Sequence, residues 1–528
     1  MRSPRFFPAL LAVLAAGYTS LLAGDFRLAA PISDHMVLQR EKPVAVWGWA
    51  DAGESVTVAF GGQSKSATAA DDGKWSLKLD ALSASAESRS LVVTGKDGHK
   101  VEVKDVLVGE VWLGSGQSNM AMTVNRSKDF EKEKAAANFP LIRHFKEDSA
   151  SATTAQGQAK GSWLVCTPES VGGFSAILYF FGREIHHEVG VPVGLINTSV
   201  GGTPIEAWIA PELQETKPEL KAALDAQHEA TSKVDLVKAK ASYEAALEKY
   251  KVAKAQAKTD GKAAPRPPTD PVAMSERKSN NGGLFNGKVA PLIPYTLRGM
   301  LWYQGEANSA DTRAPAYVHQ LSALITDWRA RWGDEVPFAW VQLPNFNRAG
   351  EGWPLMRESM LKTLALPKTG MAVAIDIGEP GNIHPTNKQE AGRRLSLWAL
   401  GTVYGKKVAA TSSPLPAGSV VQGAEIVVSF SHADGLKTRD GGAVKGLVIA
   451  GADKQWKPAT AKINGTKITV SSPEVAQPVA VRYAWLDNPE CNLISGADLP
   501  ASPFRTDDWA PIPAPAPDKP AAKGKAKK

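Results

Sequence analysis

Cysteine is nearly absent from this chain: 528 residues contain two, Cys166 and Cys491. A disulfide framework is therefore excluded, and two thiols without a nearby histidine cluster give little basis for a metal site. One bond between them and two separate buried thiols are both open. Long apolar runs are missing beyond the first two dozen residues, which leaves no later membrane-spanning candidate. Charge excess is missing too. The formal net charge is +7, but Arg2, Arg5, Lys519, Lys523, Lys525, Lys527 and Lys528 supply most of it from the two ends. A near-neutral body does not imply a nucleic-acid partner.

The ends carry their own signals. Arg2 and Arg5 precede an apolar stretch over residues 6–23, and the small residues Ala23 and Gly24 precede Asp25. That order reads as a signal peptide over residues 1–24, so a secreted or periplasmic protein without stable membrane insertion is expected. Residues 511–528 alternate Pro and Ala and then Lys, and are expected to be disordered.

Three blocks lie between. Residues 25–105 show short alternating strands at 44–49, 56–60, 75–79 and 91–93, separated by Asp/Gly turns, which suits a small β-sandwich. Residues 106–400 alternate apolar strands with helices. Strands are expected at 106–113, 141–145, 191–198, 297–303, 336–343 and 371–377, and helices at 174–188, 314–332 and 386–399. The fold class is therefore α/β, with a largely parallel sheet covered on both faces and chemistry at the strand carboxyl ends. An Ala/Lys/Glu-rich insertion at 212–270 interrupts this block. Leu236, Tyr243, Leu247 and Tyr250 recur there at helical spacing, which predicts amphipathic helices packed on the surface. Residues 401–510 return to a β pattern and form a second β domain or accessory sheet.

The central chemical signal is the turn GSGQSNM at 114–120, directly after an expected strand. Glycines permit a sharp turn, and a serine there projects its hydroxyl over the strand ends at a helix N-terminus. The turn lacks the Gly-Lys-Ser/Thr ending of a phosphate loop and is not a Gly-x-Ser-x-Gly elbow. Ser118 is thus the candidate nucleophile, with a capping serine as the competing reading. A serine nucleophile needs a base. Of nine histidines, His384 stands out, because its loop joins an expected strand end to an expected helix. Asp376 and Glu379 are the nearby carboxylates, and the sequence does not choose between them. Backbone N–H groups of Ser118 and of Gly201 or Gly202 are candidate oxyanion donors, with the Gln304 amide as a third. Glu306 reads as a general acid or, preferably, as a buried anchor. Asn308 and Arg357 are candidate sugar contacts, and a surface salt bridge competes for Arg357. His35 is assigned a structural role.

Together the segments SDHMVLQR (33–40), GEVWLGSGQSNM (109–120), SVGGT (199–203), WYQGEAN (302–308), IHP (383–385) and LPASPFRTD (499–507) resemble the sialate O-acetylesterase family, within the wider SGNH esterase/lipase superfamily. The resemblance covers roughly residues 25–510. It implies an SGNH-type three-layer α/β/α catalytic domain with N-terminal and C-terminal accessory β domains. It also implies Ser118 as nucleophile, His384 as base, and Gln304 with Gly202 and Gly201 in the oxyanion segments. No metal or organic cofactor is implied, and the partner is an O-acetylated mono-, oligo- or polysaccharide. Two features depart from the pattern. Gln117 stands where the superfamily often has Asp, and Gly381 stands three before the base where Asp is familiar. Two other functions compete: acetyl-xylan or other polysaccharide deacetylation, and non-catalytic carbohydrate binding by a Trp-rich surface protein.

Overall fold

The computed structural model describes residues 26–509, apart from 233–234, 262–263, 266, 269, 273–280, 311 and 348. The expected signal peptide and the Pro/Ala/Lys tail lie outside the described residues. So do residues 233–234, 262–263, 266 and 269 of the expected insertion.

The central sheet has seven strands: β1 (Lys100–Gly116), β2 (Phe139–Glu147), β3 (Gly161–Cys166), β4 (Val193–Asn197), β5 (Gly299–Tyr303), β6 (Phe338–Val341) and β7 (Thr369–Ala372). Their order is β3-β2-β4-β1-β5-β6-β7, parallel except for β3. Each expected strand of the 106–400 block is present, with its ends shifted by a few residues. The carboxyl half of β1 is buried throughout, as a strand covered on two faces requires. On one face Trp112 packs edge-on against Phe181 and Trp398, from the helices Ala176–Val189 and Lys388–Trp398. On the other, Trp302 packs edge-on against Trp328 of the helix Tyr317–Trp332. These aromatic pairs bury large apolar areas with specific geometry.

β1 is longer than its sequence pattern suggests. Its first half pairs antiparallel with Ser85–Thr94 and parallel with Val37–Gln39, while its second half pairs with β4 and β5. One strand thus belongs to the N-terminal β region and to the central sheet. Within that region Ser55–Phe60 turns Val56, Val58 and Phe60 inward, with period two. His35 bonds Asp105 at 2.7 Å, in line with a structural role. Burial raises the Asp105 carboxyl, but hydrogen bonds from Arg143, His35 and Ser88 outweigh it and hold the group at about 2.

The insertion forms the helices Pro218–Ser232 and Leu236–Thr259. The expected apolar face of the second is only partly covered. Tyr243, Leu247 and Tyr250 are half-buried, Leu236 is exposed, and Ala257 alone is buried. The C-terminal β region contains two four-stranded sheets. It has a core of its own, which includes Ile426, Val428, Ile449, Ile468 and Val481. Both cysteines are free thiols. Burial pushes Cys166 up to about 12 and Cys491 up to about 11. Among the described residues no helix is long and apolar enough to cross a membrane, and no group of three or more His, Cys, Asp or Glu is placed to hold a metal ion.

Candidate active site

Three strand ends converge on Ser118. β1 ends at Gly116, and Gln117 N–H continues the pairing by donating to Tyr303 O at the end of β5 (2.9 Å). Beyond β4, Thr198 N–H donates to Gly114 O and Val200 N–H to Gly116 O, each at 3.0 Å. The chain at Gly116 has φ +130° and passes so close to Tyr303 that a Cβ would sit 2.3 Å from its carbonyl oxygen. Only glycine fits this crossing. Ser118 then opens the short helix Ser118–Ala121, where backbone N–H groups lack intrahelical partners. Gly201 lies directly against it, since a Cβ there would come 3.4 Å from Ser118 Cβ. Gly202 turns the loop with φ +74°.

His384 Nε2 lies 2.7 Å from Ser118 Oγ. The two residues are 266 apart in the chain, so the fold brings this pair together. The base loop is closely held. Asn382 Nδ2 donates to His384 O at 2.8 Å, and His384 N–H donates to Asn382 Oδ1 at 3.0 Å. Glu379 accepts from Thr386 N–H and Oγ1–H on one oxygen and from Asn382 Nδ2 on the other. Burial raises its carboxyl, but these hydrogen bonds prevail and leave it below the usual carboxylate range. Asp376 is committed elsewhere, to Arg394 and Arg439. Burial raises that carboxyl as well, and the two guanidinium groups bring it down.

Three expected contacts are corrected by their surroundings. The Gln304 amide is buried and spent. Nε2 donates to Thr203 O at 3.2 Å and to Asn308 Oδ1 at 2.8 Å, while Oε1 accepts from Tyr317 at 2.7 Å. Both of its N–H groups are used, so it is not an oxyanion donor as it stands. Asn308 is buried and saturated, donating to both Glu206 oxygens and accepting from Ile205 N–H and Gln304. It braces the loops and leaves no group for a sugar. Arg357 is fully buried and donates to the carbonyls of Leu343, Pro344, Leu486 and Asp487. It clamps two loops, and is neither a sugar contact nor a surface salt bridge.

One cluster escaped the sequence reading. Asn119 Oδ1 accepts from Lys388 Nζ at 2.6 Å, and its Nδ2 donates to Glu306 Oε1 at 2.5 Å and to Ile383 O at 3.0 Å. The only available signal was position: Asn119 follows the nucleophile, and Lys388 lies four residues after the base. Glu306 is half-buried as a residue, with its carboxyl turned inward and held by Asn119, in line with the anchor reading. Burial pushes its carboxyl up and pushes the Lys388 ammonium down to about 7.

A hydroxyl hydrogen-bonded to an imidazole, at a helix N-terminus and beside a glycine turn, is an arrangement for acyl transfer. Comparison with known proteins agrees. The family described as carbohydrate esterase, sialic acid-specific acetylesterase matches residues 108–259 and 285–400. The sialate O-acetylesterase of Rattus norvegicus is 28% identical, covering 96% of this chain and 98% of its own length. That of Homo sapiens is 28% identical, covering 91% and 92%. A carbohydrate acetylesterase of known structure from Xanthomonas citri superposes with TM-score 0.78 at 37% identity, over 92% of this chain and 100% of its own. By sequence and by fold this chain belongs to the sialic acid-specific acetylesterase family of carbohydrate esterases, and it is a carbohydrate O-acetylesterase.

Proposed function

We propose that the enzyme removes O-acetyl groups from sialic acids through a Ser118 acetyl-enzyme. The observation that carries this reading is the 2.7 Å contact between Ser118 Oγ and His384 Nε2. His384 takes the Ser118 proton as Oγ attacks the acetyl carbonyl. The oxyanion is met by the backbone N–H of Ser118 and of the Gly201–Gly202 turn. His384 then protonates the departing sugar hydroxyl, and a water activated by the same ring hydrolyses the acetyl-enzyme. Glu379, rather than Asp376, is the carboxylate that supports the base, because it belongs to the same loop and Asp376 is paired with two arginines. The sialate preference rests on relatives of that name, which span nearly the whole chain.

The finer architecture belongs to the same proposal. Residues 106–400 form an SGNH-type three-layer esterase domain interrupted by the 212–270 insertion, with β domains at 25–105 and 401–510. The apolar segment at 6–23 supports export, so the mature enzyme acts in the periplasm or outside the cell.

Acetate release from 9-O-acetyl-sialic acid and from acetyl-xylan, measured side by side, tests the reading. Release from the sialate, reduced about ten-thousand-fold or more in Ser118→Ala, is expected. Release from acetyl-xylan alone would move the substrate to plant polysaccharide. Full activity in Ser118→Ala would remove the nucleophile assignment.

A further inference from the structure

Asn119 and Ile383 each adjoin a reactive residue, Ser118 and His384. The Asn119 amide ties them directly, because Nδ2 donates to Ile383 O at 3.0 Å. That bond forms only if the amide nitrogen, and not the oxygen, faces the base loop. An asparagine amide can be turned end for end, so its neighbours must fix its sense. Here Lys388 Nζ, a donor, meets Oδ1, and Glu306 Oε1, an acceptor, meets Nδ2. Reversal would set N–H groups against an ammonium and a carbonyl oxygen against a carboxyl and the Ile383 carbonyl.

Stability alone does not account for this arrangement. Lys388 and Asn119 are buried, and Glu306 Oε2 is buried without a hydrogen-bond partner. Taking such groups out of water is costly. Lys388 also opens the helix Lys388–Trp398, where the helix dipole disfavours a cation. The base loop has its own ties through Glu379, Asn382 and Thr386. The extra polar chain therefore refines the placement of a loop that is already folded.

We propose that Lys388 and Glu306 are positioning residues that orient the Asn119 amide and so hold His384 in register with Ser118. The proposal rests on the Ser118–His384 reading of the site. Neither residue touches the substrate. Each acts through Asn119, and the quantity it controls is the alignment of Nε2 with Oγ. Misplacement of a reacting group by about 1 Å costs about a hundredfold in rate, so the relay acts on kcat and leaves KM alone.

The test measures kcat and KM on 9-O-acetyl-sialic acid with the whole mature enzyme, normalised to the serine titrated by a fluorophosphonate. Lys388→Met is expected to lower kcat about tenfold to a hundredfold with KM unchanged within about twofold. Glu306→Leu, which removes the acceptor for Nδ2, is expected to do the same. Glu306→Gln keeps an acceptor oxygen and is expected to recover most of that loss. The Glu306 pair decides the matter even if Lys388→Met does not fold. Unchanged kcat per titrated serine in Glu306→Leu, or equal losses in Glu306→Leu and Glu306→Gln, overturns the relay. Ser118→Ala and His384→Ala separate the two readings. If both abolish turnover while the relay variants leave it intact, only the relay fails. If either keeps full turnover, the site reading itself falls, and the relay with it.

Discussion

The two β regions that flank the esterase sheet are attached to it by opposite means. On the N-terminal side the attachment is covalent and apolar. β1 runs from one sheet into the other, and a single apolar core includes Val37, Val58 and Leu107 together with Trp112, Val193 and Leu301. On the C-terminal side the β region keeps its own core, and much of the junction is polar. Arg357 bonds the carbonyls of Leu486 and Asp487, Asp487 Oδ2 accepts from Ala349 N–H, Arg439 pairs with Asp376, and Arg505 pairs with Glu358. Apolar burial is non-directional and stabilises in proportion to area. Charge-assisted hydrogen bonds fix direction. The polar junction grips the loop around 343–349, which in turn holds the base loop: Asn345 Oδ1 accepts from Gly378 N–H, and Asn347 N–H donates to Pro380 O. The N-terminal side therefore contributes stability to the sheet, and the C-terminal side contributes placement to the base.

Three substitutions break or sharpen that contrast. The largest effect is expected from Arg357→Met, which strands the buried carbonyls of Leu343 and Pro344 and the part-buried ones of Leu486 and Asp487. It should cost about 4 kcal/mol in urea unfolding, with KM for the acetylated sugar unchanged in the folded fraction. A large rise in KM at normal stability would make Arg357 a substrate clamp and undo the polar-junction account. Next is Leu107→Ala in the shared part of β1, expected to cost about 3 kcal/mol. The N-terminal region and the esterase sheet should still melt in one transition. Two resolved transitions would show that the shared strand does not couple them. The smallest effect is expected from Arg439→Ala. Its pair with Asp376 is partly exposed and therefore screened, worth under about 1 kcal/mol. The sign in pH is fixed. Asp376 is held below its ordinary value in the folded chain. Its contribution is present above that value and is lost as pH falls through the folded one. Arg439→Ala should shrink that acid loss, and an unchanged acid limb would assign the whole effect to Arg394.

The strand-helix alternation and the turn at Ser118 were legible because both are local. Periodicity marks a strand, and GSGQS marks a sharp crossing at its end. His384 was legible by elimination among histidines. The fates of Gln304, Asn308 and Arg357 were not, because each is decided by partners far along the chain. Asn308 meets Glu206, 102 residues away, and Arg357 meets Asp487, 130 residues away. A lone arginine looks the same in a sequence whether it faces solvent or four carbonyls. The reach of β1 was missed for another reason. Residues 100–105 alternate polar and apolar side chains while 106–113 are almost all apolar, so one strand carries two patterns and reads as two elements.

The shared strand also limits how this enzyme can be subdivided. A chain shortened to begin at residue 106 would start in mid-strand. It would lose Val37–Gln39 and Ser85–Thr94 as partners and leave unpaired backbone groups beside buried valines. The smallest unit that retains the nucleophile turn in its native setting must therefore include the N-terminal sheets. In this chain the N-terminal β region cannot be cut away from the hydrolase without breaking a strand that the two share.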